Sequence, residues 1–217
     1  MKKTYFKEER PELKQLLPKQ FEKVLEIGCG EGTFISSING DVEKWGVEPD
    51  KNAASRASEK LFKTVNATYV ESLPSLPDNY FDLVVCNDVI EHLSDHDFFF
   101  ESIKTKMKEG AYLVGSIPNV RYFENIARFL IAKDWKYRED DILDRTHLRF
   151  FTEKSLLRTI KEHNYKIEKF IGVNKLTLKP FSVKMLLKVI VIYSIVMLTF
   201  GSHKDILYLQ FGFRLKK

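Results

Sequence analysis

The densest chemical signal in this 217-residue chain is Val24-Leu-Glu-Ile-Gly-Cys-Gly-Glu-Gly-Thr-Phe34, with glycines at positions 28, 30 and 32. Glycine permits a sharp turn and lets a ligand approach the backbone with no Cβ in the way. Twenty residues beyond Gly28 stands Glu48, in Gly46-Val-Glu-Pro-Asp50. A carboxylate at that spacing can accept hydrogen bonds from both hydroxyls of a ribose. Together the two signals predict a nucleoside lying across strand ends, although the loop alone is also compatible with a tight structural turn. The spacing is GxGxG rather than GxGxxG, and Glu26 and Glu31 flank it. Two carboxylates repel a pyrophosphate and attract a ligand that carries an ammonium and a sulfonium. The loop therefore favours S-adenosylmethionine (SAM) over a nicotinamide dinucleotide.

A second set of residues could handle an acceptor. His92 follows an apolar strand pattern and titrates near neutrality, so it is a candidate general base; packing at a helix start is the plainer alternative. His92 and His96 stand four apart, a spacing that could grip a metal, but no third ligand is evident and a solvated acidic helix start is expected instead. No metal is expected. His147 lies in Asp-Arg-Thr-His-Leu-Arg-Phe-Phe151, which gathers a base, two guanidinium groups and two aromatics. It is the favoured base or substrate ligand. Arg145 is expected to fork onto an acidic group of the acceptor, and Arg149 is a substrate-side alternative. A structural Asp144–Arg145 pair and an aromatic core at Phe150 and Phe151 compete with that reading. Asn119 and Tyr122 are further substrate-side candidates. Cys29 and Cys86 have no basic neighbour in sequence and are expected to pack rather than react.

These residues need strand ends to hold them. Residues 21–27, 42–47, 67–70, 81–86 and 111–117 read as strands. Helical patterns begin at Thr33, cover 51–62 and run from a Ser94/Asp97 capping box to Lys108, where Gly110 stops the last of them. Such alternation implies βαβ units and a parallel sheet covered by helices. Further on, 121–132 reads as a helix, 133–146 as a charged loop, 152–163 as a helix capped by Thr152 and Ser155, and 165–173 and 206–215 as strands.

Composition narrows the classes. With 44% hydrophobic and 13% aromatic residues the chain can bury a core, which excludes global disorder. Two cysteines exclude a disulfide scaffold and any CxxC zinc pattern. The charged start, 1–14, is unlike a secretory signal, so a cytoplasmic location is expected. Eight basic residues and one acid lie from Asn174 onward, a balance of +7 against −2 for the preceding residues. A near-neutral body argues against a nucleic-acid partner, and the basic tail points to a local anionic surface such as lipid. Residues 181–200 hold fifteen apolar residues in twenty. Their charge-free stretch is short for a membrane span. Packing on the domain, peripheral membrane contact and homodimer formation all remain open for this segment.

Residues 24–34, 46–50 and Phe81-Asp-Leu-Val-Val-Cys-Asn-Asp-Val-Ile-Glu-His-Leu93 resemble successive motifs of class I SAM-dependent methyltransferases. Ser116-Ile-Pro-Asn-Val120 and residues 144–152 resemble a bacterial subgroup associated with surface-glycan and small-molecule biosynthesis. The resemblance implies an α/β Rossmann-like fold with a seven-stranded, mostly parallel sheet, the last strand antiparallel. The resemblance covers about residues 20–173, and the chain is expected to form one domain over 21–217, with a helical extension over 1–20, a substrate-side insertion over 120–150 and an apolar helical insertion over 174–204. The resemblance further implies SAM contacts from Gly28, Cys29, Gly30 and Phe34, with Glu26 near the amino group and Glu48 on the ribose. Pro49, Asp50 and Glu71 would lie at the adenine, and Asn87 at the methionine end. The implied activity is methyl transfer to an oxygen or nitrogen of a small molecule or glycan. An RNA or protein methyltransferase and a non-catalytic SAM-binding scaffold are the alternatives.

Overall fold

The computed structural model describes residues 9–176, 190, 192–194 and 197–217. Its centre is one seven-stranded sheet in the order β3-β2-β1-β4-β5-β7-β6. The strands are β1 (Lys23–Ile27), β2 (Glu43–Val47), β3 (Lys63–Val65), β4 (Phe81–Asn87), β5 (Met107–Pro118), β6 (Lys166–Lys175) and β7 (Tyr208–Lys216). The first five run parallel, and β7 is antiparallel to both β5 and β6. This is the expected architecture. β4 reads as a continuous apolar run because both of its faces are covered. Leu83 and Val85 point into one cluster with Val24, Phe34 and Ala57, while Val84 and Cys86 point into the other with Phe99, Phe100, Leu156 and Ile160.

Helices α1 (Pro11–Lys14), α2 (Thr33–Ser36) and α3 (Lys51–Ser58) lie on the first face. Helices α4 (Tyr69–Ser72), α5 (His96–Lys106) and α7 (Glu153–Glu162) lie on the second. Leu13 and Leu16 of the N-terminal segment are wholly buried against β1, β5 and β6, so this segment is part of the same core and not an appendage. Helix α6 (Phe123–Ala132) packs through Tyr122, Phe123 and Ile126 on Leu176, Ile192, Ile206 and Leu207. Most of the apolar segment 181–200 lies outside the described residues. No helix among the described residues is long and apolar enough to cross a membrane.

Three local expectations are corrected. The third strand is Lys63–Val65 rather than 67–70, because Thr68 and Glu71 close a capping box that opens α4 there. Helix α5 is capped by Asp95, whose Oδ1 accepts from Phe98 N at 2.9 Å, and not by Ser94. It ends at Lys106 and β5 begins at once. Gly110, at φ +74°, sits inside β5 where the pairing with β4 shifts from Phe81–Met107 to Leu83–Tyr112. The glycine serves a bulge rather than a helix stop.

The sheet is tight at Gly115 in β5. A Cβ there would lie 2.7 Å from the Cys86 carbonyl oxygen and 2.7 Å from Phe213 Cζ. The carbonyl belongs to the neighbouring strand and cannot step aside. Gly115→Ala is expected to cost about 1–3 kcal/mol, the ordinary penalty for overpacking. A fall in the denaturant midpoint checks it; an unchanged midpoint refutes the packing argument.

Candidate functional site

Strand β1 ends at Gly28, whose N–H and that of Cys29 both donate to Val47 O, at 2.8 and 3.1 Å. The loop is thereby pinned across the end of β2. Gly28, Gly30 and Gly32 all have positive φ, between 55° and 73°. A Cβ on Gly28 would also lie 2.7 Å from Val89 Cγ2, so both conformation and space demand glycine. Seven of the sequence-derived cofactor residues line the cleft this creates: Glu26, Gly28, Cys29, Gly30, Phe34, Glu48 and Asn87.

The polar groups of the cleft are unusual in what they lack. Glu26 is buried, and its Oε2 has no hydrogen-bond partner among the described residues. Burial, with a smaller contribution from Glu48, pushes its carboxyl up to about 8. Both side-chain polar atoms of Asn87 are likewise buried and unpartnered. Glu48 is buried but served: its Oε2 accepts from Gly30 N at 2.8 Å and its Oε1 from Asp50 N at 2.9 Å. Burial raises its carboxyl, and those two N–H groups oppose the rise. An ammonium ligand would relieve Glu26, and a ribose could still reach the remaining lone pairs of Glu48. The site fits SAM. Glu31 is different, because its carboxylate pairs with Arg56 at 2.8 Å and ties the loop to α3. The charge argument for the ligand therefore rests on Glu26.

Some expected cofactor contacts have other duties. Asp50 caps α3, accepting from Ala53 N at 2.8 Å. Glu71 is exposed and spent on Thr68, whose N–H and Oγ1 both donate to it; these bonds hold its carboxyl below the usual range. The residue that follows β3 is Asn66, whose Nδ2 donates to Glu48 O and Pro49 O at 2.8 and 3.0 Å. Because β3 ends at Val65, Glu71 falls within α4 and not at the strand end. Burial raises both thiols, Cys29 and Cys86, which are neutral packing groups.

Two lining residues carried no clear sequence signal. Asp88, at φ +52°, accepts from Ser116 Oγ at 2.8 Å and from Gln210 Nε2 at 3.0 Å. Arg10 forms an ion pair with it and donates to Gln210 Oε1 at 2.8 Å. Burial opposes the charge on Arg10, but Asp88 outweighs it and keeps the guanidinium protonated. Only tertiary structure joins positions so far apart.

Outside the cleft lining, His92 and His147 meet as rings 4.7 Å apart, inclined at 75°. Their loops are clipped together, since Leu148 N and Arg149 N both donate to Glu91 O. His96 stands elsewhere, against the Phe151 ring and Asp97, so the His92/His96 pair does not form a site. Arg145 is exposed and paired with Glu139 rather than Asp144. Arg149 donates to Ser94 O and Leu148 O. Asn119 is corrected to a structural clamp: its Nδ2 donates to Asp205 O and Tyr208 O, and its Oδ1 accepts from Arg121 N. Tyr122 packs on the small cluster under α6. Phe151 is core.

The raised carboxyl of Glu26 has a consequence for stability. Between its ordinary 4.5 and about 8 the folded chain holds a proton that the unfolded chain releases. This contribution is complete below pH 4.5 and is lost as pH rises towards 8. Unfolding in denaturant at pH 5 and pH 8 measures the difference, which is expected to shrink in Glu26→Gln. An undiminished difference refutes the assignment.

The family model described as a methyltransferase domain matches residues 1–169. A phosphoethanolamine N-methyltransferase of Triticum aestivum is 33% identical over 95 residues, covering 41% of this chain and 19% of that protein. A ubiquinone biosynthesis O-methyltransferase of Paraburkholderia phymatum is 28% identical over 119 residues, covering 51% and 49%. The chain spans less than half the length of the curated relatives it matches. Among solved structures, a SAM-dependent methyltransferase from Archaeoglobus fulgidus superposes with a TM-score of 0.64 at 24% identity, covering 95% of this chain and 91% of the other. The family match spans most of the chain, and the fold and the cleft agree with it: the chain belongs to the methyltransferase-domain family, and its fold is that of the SAM-dependent methyltransferases.

Proposed function

We propose that the chain transfers a methyl group from SAM to an oxygen or nitrogen of a small-molecule acceptor. The observation that carries this reading is the cleft at the ends of β1, β2 and β4, where buried Glu26 Oε2 and both side-chain polar atoms of Asn87 have no hydrogen-bond partner among the described residues, beside a glycine loop and a buried Glu48. When bound, SAM supplies a methyl group on a positively charged sulfur that leaves as a neutral thioether. Glu26 accepts from the ammonium, the 28–30 backbone leaves room for the methionine part, and Glu48 holds the ribose. Asn66 and Ala67, the first residues past β3, border the adenine in place of Glu71. The relatives named above act on nitrogen and on oxygen, which supports both acceptor atoms.

Calorimetry with S-adenosylhomocysteine tests this reading. Full-length protein is expected to bind it, and Glu48→Ala to bind it roughly 10- to 100-fold more weakly, the cost of losing charge-assisted hydrogen bonds. No heat from this ligand, with binding of a nicotinamide dinucleotide instead, overturns the proposal.

A glycan acceptor carried on lipid is the finer reading, with a peripheral membrane contact to match. Helix α6 buries one side against Ile192 and exposes Phe129, Leu130 and Ile131; Met197, Leu198 and Phe200 are exposed nearby in sequence to Ile192. The basic tail complements an anionic surface. The full chain is expected to float with phosphatidylglycerol vesicles and Leu130→Ser/Ile131→Ser to float less. Full-length protein that stays at the bottom and sediments as a dimer assigns the face to a second copy instead.

A further inference from the structure

We propose that Glu91, His92 and His147 form a binding site for one divalent transition-metal ion at the turn that follows β4. The three side chains come from two segments: Glu91 and His92 from the 3-10 turn Ile90–His92 that follows β4, and His147 from the loop ahead of α7. One ligand atom from each lies within 4.8 Å of the other two. Metal–ligand bonds of about 2.0–2.2 Å hold neighbouring donors about 3–3.5 Å apart, so closure needs side-chain movements on the order of 1 Å.

Glu91 is the independent observation. It is 1% exposed, and neither carboxylate oxygen has a hydrogen-bond partner among the described residues. A buried carboxyl without partners is costly, and such groups are paired or bind metal in folded proteins. Its nearby acid, Asp88, is committed to Arg10, Ser116 and Gln210 and supplies no relief.

The histidines are set as metal ligands are set. His92 Nδ1 lies 3.2 Å from Thr146 O, and His147 Nδ1 lies 2.9 Å from Ile142 O. A carbonyl only accepts, so each Nδ1 carries a proton, which leaves Nε2 as the nitrogen able to ligate. Such outer hydrogen bonds orient ligating imidazoles and raise their basicity. The Thr146 carbonyl is itself held by a turn in which Asp144 Oδ1 accepts from Thr146 N at 2.7 Å and from Thr146 Oγ1 at 2.6 Å.

Two imidazoles and one carboxylate suit zinc, iron or manganese rather than magnesium or calcium, which prefer oxygen donors throughout. Three protein ligands leave coordination positions open. On the methyltransferase reading, a metal held there would bind an acceptor hydroxyl at one of them and lower its pKa, so that the proton passes to solvent water and the oxygen takes the methyl group as the S–CH3 bond breaks. His92 and His147 then act as ligands and not as free bases.

Cobalt and manganese are the probes. Chelator-treated, untagged full-length protein is expected to bind one Co2+ with visible absorption bands, displaced by Zn2+ and not by Mg2+. Glu91→Gln and His147→Gln are each expected to weaken Co2+ binding at least ~100-fold while S-adenosylhomocysteine binding persists. Pulsed EPR of Mn2+ on the unaltered protein is expected to show imidazole nitrogen coupling, which requires no variant to fold. Absence of cobalt binding up to millimolar concentration, absence of nitrogen coupling, or unchanged affinity in both variants overturns the metal site. Loss of S-adenosylhomocysteine binding by the unaltered protein would instead strike the cofactor reading.

Discussion

Three carboxyl groups buried at the carboxyl ends of parallel strands are the constraint around which this molecule is built. Glu26 is the penultimate residue of β1, Glu48 follows β2 and Glu91 lies in the turn after β4, at 4%, 5% and 1% exposure. Removing a carboxylate from water costs several kcal/mol unless hydrogen bonds or an opposite charge replace the solvent. Glu48 has its replacement in two backbone N–H groups. Glu26 has only the Ile35 backbone group, with Oε2 unpartnered, and neither oxygen of Glu91 has a hydrogen-bond partner among the described residues; burial raises both. A chain can carry such groups only where the rest of the fold is stable enough to hold them, and ligands are what give them a purpose.

The sheet supplies that stability and the convergence. β1 and β4 are packed on both faces, so their ends are rigid. Parallel strands all release their next residues at the same edge, which is why the ends of β1, β2 and β4 open on one cleft. β7 contributes from the far side of β5. Through Gln210 it joins Asp88 and Arg10, so the N-terminal segment, β4 and the last strand are linked in one polar network beside the cleft. Positions 10, 88 and 210 are far apart in sequence, and the network exists only because the sheet order interleaves them.

The glycine loop and the acid beyond it were legible because their geometry is local. A strand, three glycines and an acid at a fixed distance express the geometry within thirty residues, and Glu26, Gly28, Gly30 and Glu48 meet where that pattern places them. Errors arose where two devices share the same residues. Thr68 and Glu71 look like parts of an extended, apolar stretch with an acid at its end, yet their reciprocal hydrogen bonds start a helix. Gly110 looks like a helix stop, yet the bulge in β5 needs its positive φ. Asn119 looked available to substrate because a buried amide and a binding amide are the same residue type; the carbonyls of Asp205 and Tyr208 that consume it lie more than eighty residues away. His92 and His147 lie in separate segments, and nothing in sequence brings them together. Their meeting depends on the Glu91 carbonyl accepting from Leu148 and Arg149, a backbone contact that leaves no compositional trace.

The placement of charge around Asn87 follows from the same constraint. Asn87 ends β4, the strand beside β1, and the chain turns from it into Asp88 and then Glu91. A carboxylate at position 87 would add a further unpaired charge next to Glu26 and raise the cost of both by mutual repulsion. A lysine or arginine there would neutralise Glu26 from within and leave nothing for a cationic ligand to satisfy. An amide avoids both outcomes: it is polar enough to bond a ligand through either atom and carries no net charge. Asp88 is tolerable in the next position because Arg10 is delivered to it by the N-terminal segment. Asp88 and Glu31 keep a guanidinium and tie segments of the chain together, whereas Glu26 Oε2 and both oxygens of Glu91 are left without a hydrogen-bond partner among the described residues.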